Sequence, residues 1–358
     1  MDYFEATSRY PEAGRIRLAP ESWTVPVMDY LETRWPLVLL LGLVGGGLTA
    51  FGRRRRRRTA ERVAKLESLA KDSVGHDPLL QTVLDGHRLT RVLGRGASAT
   101  VYLAVPDETL DQSKAVAIKV FSDETVRSEE FLTRFRREAK LYQSLLHPGI
   151  VQMIDWGQQG HLFYLVMEYV KGEPIQGSLV NSPQMERDAL TLLRQIAASL
   201  GHAHDGGVIH RDVKPSNVLV TAEGRTKLLD FGLAREVISS LTKTGHALGT
   251  PLYMAPEQIS GVLVDHRCDQ YALGVLAYEL MSGQKTFETE ENDAAPILFQ
   301  QVNNDPAPLR ERGVEVSQAT EVLIETLMCR EPVGRFPNMK EVEKAISQAL
   351  EGLQKEVQ

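Results

Sequence analysis

Three stretches of this chain concentrate residue types that handle phosphate and proton chemistry. The first is Leu93-Gly94-Arg95-Gly96-Ala97-Ser98-Ala99-Thr100-Val101, two glycines set between two strand-forming runs. Glycine, lacking a Cβ, lets backbone amides close over a phosphate. Taken alone, such a loop also fits a hairpin turn, or a dinucleotide fingerprint where a helix follows. Here a second strand pattern follows, and then Ala115-Val116-Ala117-Ile118-Lys119-Val120, an apolar strand with a lysine inside it. A lone lysine on such a strand is ordinarily a snorkelling edge residue. Lys119, however, falls at a spacing from the glycine loop that reaches nucleotide phosphates. An amphipathic helix is predicted over 129 to about 146, with Phe131, Phe135, Leu141 and Leu145 on its buried face. Glu138 on this helix is either a surface charge or the partner that holds Lys119 against the phosphates.

The second and third stretches are 208–219, VIHRDVKPSNVL, and 227–234, KLLDFGLA. With them the chain resembles the eukaryotic-type protein kinases, over roughly residues 87–350. The catalytic loop reads His210-Arg211-Asp212-Val213-Lys214-Pro215-Ser216-Asn217, the metal motif Asp230-Phe231-Gly232, and the activation segment closes on Ala255-Pro256-Glu257. Any one tripeptide arises by chance; all of them in order, at family spacings, do not. The resemblance implies ATP and Mg²⁺ as cofactors and proteins as substrates. It makes Asp212, Lys214 and Asn217 the catalytic residues. Asp212 accepts or orients the substrate hydroxyl proton, and Lys214 neutralises the transferred phosphoryl group. Asn217 and Asp230 are hard oxygen ligands suited to a magnesium ion that keeps several waters. Phosphoryl transfer asks for this positioning and charge neutralisation more than for covalent help.

By the same resemblance, the nucleotide is bound by residues 93–101, by Lys119 with Glu138, and by Val101, Ala117 and Leu219, which sandwich adenine. Met167 lines the back of the pocket, and Glu168 and Val170 offer backbone groups. For the apolar members of this set, plain core packing is the competing reading. A lysine two residues after the catalytic Asp, and Gly249-Thr250-Pro251 before the last motif, match the serine/threonine branch, with Thr250 shaping the hydroxyl site. The wording KPSNVL and GTPLYMAPEQ looks most like bacterial members. Tyr142, Met153, His210 and Phe231 match a stack that aligns the two lobes. Asp269 matches the acid that anchors the catalytic loop, and Glu257 with Arg335 matches a buried ion pair. One departure is Ala99 in place of the third loop glycine. In the family, the arginine before the catalytic Asp, here Arg211, often binds a phosphate on the activation segment. Thr242 and Thr244 are therefore the candidate autophosphorylation sites, the alternative being an unmodified polar loop. A membrane-tethered nucleotide-binding pseudokinase scaffold is the alternative function, against which the intact Lys119, Asp212 and Asp230 speak.

These residues need a two-lobe α+β scaffold: a small antiparallel sheet with one helix (87–167), then a mostly helical lobe (171–350). A tail follows at 351–358. Upstream, 35–52 reads WPLVLLLGLVGGGLTAFG, uncharged and at the short end of a membrane span. Arg53 to Arg58 follow it directly, as a cytoplasmic flank does. A signal peptide would carry its charge before the apolar run instead. The expectation is a single-pass protein of the bacterial inner membrane. Residues 1–34 form a short outer tail, the kinase is cytoplasmic, and the arginines lie against anionic lipid. Residues 53–86 are read as a basic juxtamembrane segment and linker. Gly42 and Gly46 form a GxxxG pair that lets two helices approach, the basis for a possible homodimer. With net charge −6 despite this arginine block, the body is acidic, which argues against nucleic acid as a partner. Cys268 and Cys329 lie in no metal-binding spacing and are read as reduced thiols.

Overall fold

Alternation of apolar and polar residues in the small lobe produces a six-stranded antiparallel sheet. The computed structural model describes residues 77–96, 99–121, 129–177, 182–231, 251–287 and 294–356. All belong to the unit Asp77–Gln358. Its strands are β1 (Val83–Leu84), β2 (His87–Arg95), β3 (Ala99–Pro106), β4 (Val116–Phe121), β5 (Met153–Gln159) and β6 (Leu162–Glu168), in the order β1-β2-β3-β4-β6-β5. Helix α1 (Glu129–Gln143) lies between β4 and β5 in sequence. It stops three residues short of the expected end, before the helix-breaking His147-Pro148-Gly149. Leu145 beyond it is still buried, but Leu141, expected on the inner face, is 39% exposed.

Period-two alternation gives the sheet two distinct faces. Ala99, Ala117 and Phe121 turn toward α1 and the large lobe, joining Phe135, Tyr142, Met153 and Met167 in the main core. Phe135 stands edge-on to Phe121, Trp156 and Phe163 at its centre. Tyr102, Ile118, Val120 and Val166 face the other way and form a second cluster with Leu84 and Leu89. Leu79 and Leu80 pack on that outer face. The linker expected over 53–86 is therefore corrected at its end. Residues 77–86 are folded, because two leucines and a short strand find an apolar surface to cover. Gln81 N–H donates to Leu89 O and Leu89 N–H to Thr82 O, extending the β1–β2 pairing backward.

The large lobe begins with β7 (Gly172–Pro174) and α2 (Pro183–Asp205). Ser182 caps α2 by accepting from Met185 N–H, and Pro183 pre-sets the first turn. Two further strands, β8 (Val218–Thr221) and β9 (Thr226–Leu228), complete a three-stranded sheet β7-β8-β9. Helices α3 (Pro256–Ser260), α4 (Arg267–Ser282), α5 (Ala294–Asn303), α6 (Gln318–Leu327) and α7 (Met339–Glu356) follow. Helix α4 is buried almost all round, as its uncharged run Tyr271 to Tyr278 requires. Its Gly274 marks a close approach to α6: a Cβ there would come within 2.6 Å of Met328 and 2.8 Å of Leu327. Among the described residues no helix is long and apolar enough to cross a membrane. The expected span at 35–52 and the arginine block lie outside the described residues, as do Thr242, Thr244 and Thr250.

Candidate active site

The catalytic loop is built on one buried acid. Asp269, on the first turn of α4, has no exposed surface. Its two carboxylate oxygens accept the backbone N–H of His210 at 2.8 Å and of Arg211 at 2.7 Å, and His204 Nε2 lies 2.8 Å away. Burial alone would raise this carboxyl; the His204 hydrogen bond and the nearby histidines hold it below the usual carboxylate range instead. This grip holds Arg211 at φ 62°, a left-handed conformation that a long side chain rarely adopts. Asp230 of the metal motif has φ 49°. Both strained residues sit where the chemistry is expected, as is common for functional loops. Asp269→Asn is accordingly expected to lower kcat about tenfold and stability by about 1–3 kcal/mol, because one amide donor loses its buried acceptor. Steady-state kinetics beside a urea melt checks both.

The turn after Arg211 brings the three expected catalytic residues together. Lys214 Nζ lies 2.8 Å from Asp212 Oδ2. Asn217 Nδ2 donates to the same oxygen at 3.0 Å and to Asp212 O at 2.8 Å. Two donors on one oxygen fix the rotation of the Asp212 carboxylate. Asn217 spends its N–H groups in doing so, and its carbonyl oxygen remains as a hard ligand. His210 accepts from Asp212 N–H through Nδ1 and donates through Nε2 to Leu229 O at 2.8 Å. This ties the catalytic loop to the strand that leads into Asp230. The lobe-aligning stack is assembled: the Tyr142 and Phe231 rings are 5.1 Å apart, those of Phe231 and His210 4.7 Å, and Met153 is buried in the same core.

Lys119 reaches across the cleft. Its Nζ lies 2.8 Å from Asp230 Oδ1, a different partner from the expected Glu138. Glu138 is half-buried on α1. Burial alone would raise the Asp230 carboxyl, but the Lys119 ammonium, helped by His210 and Lys214, draws it below the usual range. It is thus held ionised, as a cation ligand must be. The Asp230 carboxylate and the Asn217 carbonyl form a donor set of two hard oxygens. That small number is typical where phosphates and water complete the shell of a magnesium ion.

The nucleotide positions frame the same cleft. Val101 pairs with Lys119 across β3 and β4, so the two share one face of the sheet. Ala117 is buried, and Val101, Leu219 and Val170 are half-buried. Met167 is buried at the back. Leu93, by contrast, is 39% exposed. Gly96 N–H donates to Ala99 O at 2.9 Å, closing the loop turn. A Cβ at Gly94 would meet nothing within 4 Å, so packing within the chain does not demand glycine there. Ala97 and Ser98 lie outside the described residues. Arg95 pairs with Thr100, which alternates with Val101, so its side chain belongs to the outer face. What Arg95 can offer the cleft is therefore its backbone alone.

The expected role of Glu168 is refined. Its N–H donates to Gln152 O at 2.9 Å, so that backbone group is already taken within the chain. Its carboxylate is turned away, 2.5 Å from Lys227 Nζ and 2.9 Å from Gln152 N. Lys227, Gln152, His204 and Asp77 are position-holding residues that the sequence patterns did not single out. Lys227 alone carried a signal, as a cation inside the strand before the metal motif. Gln301 on α5 is another: buried, it donates to Leu252 O and Met254 O and so braces the segment that leads to Ala255-Pro256-Glu257.

Asp212 is clamped by Lys214 and Asn217, the grouping that the family resemblance leads one to expect, and Lys119 pairs with Asp230. The chain belongs to the protein kinase family: the model of the protein kinase domain matches residues 87–347. Serine/threonine-protein kinase PrkC of Bacillus subtilis is 34% identical over 267 residues, 74% of this chain and 40% of that protein. Serine/threonine-protein kinase PknA of Mycobacterium tuberculosis is 36% identical, over 72% of this chain and 60% of that protein. This chain thus spans less than two thirds of either relative. Among solved structures, the kinase domain of Mycobacterium tuberculosis PknI superposes with a TM-score of 0.57 at 26% identity, covering 75% of this chain and 98% of that one.

Proposed function

We propose that this chain transfers the γ-phosphoryl group of ATP to serine or threonine hydroxyls of proteins. The observation that carries the reading is the meeting, in one cleft, of the clamped Asp212 with the Lys119–Asp230 pair. The hydroxyl oxygen bonds to the γ-phosphorus as the bridge to the β-phosphate breaks. The hydroxyl proton passes to Asp212, and ADP leaves. Lys214, next to that acid, offsets charge on the phosphoryl oxygens, and Lys119 orients the phosphates. Asn217 and Asp230 would hold a magnesium ion, which would supply neutralisation of phosphate charge. The serine/threonine choice rests on Lys214 and on the names of the relatives.

The test is transfer from labelled Mg-ATP by the full chain in mild detergent, with phosphoamino-acid analysis. Labelled serine or threonine is the expected result. Mg-ATP binding with no transfer to itself or to a generic protein would favour the pseudokinase scaffold instead.

The same proposal places the chain on the cytoplasmic face of a bacterial inner membrane, anchored through 35–52 with the arginines on anionic lipid, and open to homodimer formation through Gly42 and Gly46. It also includes autophosphorylation at Thr242 or Thr244, where nearly two added charges would meet Arg211. Phosphosite mapping of fully active protein should find one of these threonines occupied; empty sites would remove autophosphorylation from the proposal. Membrane fractionation and protease protection of residues 1–34 check the topology.

A further inference from the structure

Asp77 lies ten residues before the family match begins, in a stretch whose Asp-Pro dipeptide marks a turn. Its side chain is nevertheless 2% exposed. A carboxylate is buried to this degree only when it is paired and hydrogen-bonded. Arg95 Nη2 donates to Oδ2 at 2.5 Å, Tyr102 OH lies 3.1 Å from both oxygens, and Leu79 N–H donates to Oδ1 at 2.9 Å. Burial and the adjacent carboxylate push the Tyr102 hydroxyl up to about 12, so it remains a donor at neutral pH.

Two of these partners bracket the phosphate loop. Arg95 sits between Gly94 and Gly96 on the strand that runs into the turn, and Tyr102 lies on the strand that leaves it. The glycines give the backbone around Arg95 unusual freedom, and β2 pairs irregularly with β3 between Val92 and Gly94. Arg95 is the side chain through which that stretch can be held. It lies on the outer face of the sheet, opposite the cleft, so the carboxylate braces the loop from behind without touching nucleotide. Leu79 and Leu80, packed on the same outer face, fix Asp77 in place.

We propose that Asp77 is a positioning residue for ATP binding, acting through Arg95 to hold the phosphate loop from the outer face, so that a residue upstream of the family match sets nucleotide affinity without entering the cleft. A binding site held in place in advance loses less conformational freedom when a ligand binds. The proposal rests on the reading of the cleft as an ATP site.

The experiment is isothermal titration of the full chain in detergent with Mg-ATP. The variants are Asp77→Asn, Arg95→Gln and the double variant. Asparagine keeps the shape and an acceptor for Tyr102 and Leu79 but drops the charge that pairs with Arg95. Because the Arg95 end is half in solvent, each single variant is expected to bind Mg-ATP about three- to fivefold more weakly. The double variant should bind no more weakly than either single one, since both remove the same interaction. An unchanged Kd in Asp77→Asn, or losses that add in the double variant, would mean that Asp77 only anchors the outer face, and the proposal falls. A thermal melt run alongside separates that structural role, which moves the midpoint, from the positioning role, which moves Kd. A wild-type chain that binds Mg-ATP but transfers nothing defeats the proposed function and leaves this comparison standing; one that binds no Mg-ATP overturns both.

Discussion

Asp212→Asn is expected to reduce phosphoryl transfer by about 10²–10⁴-fold, the range over which a positioned general base contributes. The fold should survive. The variant's amide oxygen can take the place of Oδ2, accepting from Lys214 and Asn217 as the carboxylate does. Its NH₂ group, however, takes up no proton. Mg-ATP affinity should stay close to that of the parent, because Lys119, Asp230 and the carbonyl of Asn217 are untouched. The measurement is kcat with a saturating protein substrate, alongside Mg-ATP titration. Transfer within tenfold of the parent would take the proton-accepting role away from Asp212. A matching loss of nucleotide affinity would show that the substitution disturbed the loop and not the proton transfer alone.

The largest expected effect on stability lies far from the cleft. Arg335 is buried and makes a fork with Glu257, Nη1 to Oε1 at 2.6 Å and Nη2 to Oε2 at 2.8 Å. Its remaining N–H groups go to the carbonyls of Cys329, Arg267 and Arg330, and its guanidinium lies 5.1 Å from the centre of the Tyr271 ring. The arginine thus joins α3, α4 and the turn before α7. Arg335→Ala leaves Glu257 charged and unpaired in the interior, at an expected cost of about 3–5 kcal/mol. Whole domains are stable by only about 5–15 kcal/mol, so unfolding midpoints in urea should fall sharply. Replacing both partners with methionine should cost less than Arg335→Ala alone, because no buried charge is then stranded. A loss below about 1 kcal/mol in Arg335→Ala would show that water reaches Glu257 and that the pair behaves as a surface one.

The clustering of Asp212, Lys214 and Asn217 is legible in the sequence because it is local. Asp212, Lys214 and Asn217 lie within one tight turn, and a short-range pattern of acid, cation and amide is enough to bring their atoms together. The strand alternation around Lys119 and the glycine loop is legible for the same reason, since a period of two specifies which residues share a face. The family resemblance extends this to Asp269 and to Glu257 with Arg335, whose partners are 58 and 78 residues away.

Other pairings depend on how separate elements meet. Lys119 is expected to pair with Glu138, yet its ion pair is with Asp230, 111 residues on, since that choice is set by the placement of α1 and the lobes around the cleft. That Lys227 pairs with Glu168, 59 residues earlier, shows only once the two side chains meet in the fold. Asp77 is the least visible. An Asp-Pro dipeptide in a polar stretch has the composition of a linker, and nothing nearby in the chain compensates its charge. Its partners stand 18 and 25 residues away and come to it only because the outer face of a twisted sheet needs covering. Residue type and spacing announce which chemistry a chain can perform, because reactive groups must be of the right kind. Which groups hold them in place depends on burial, and burial is a property of the assembled fold.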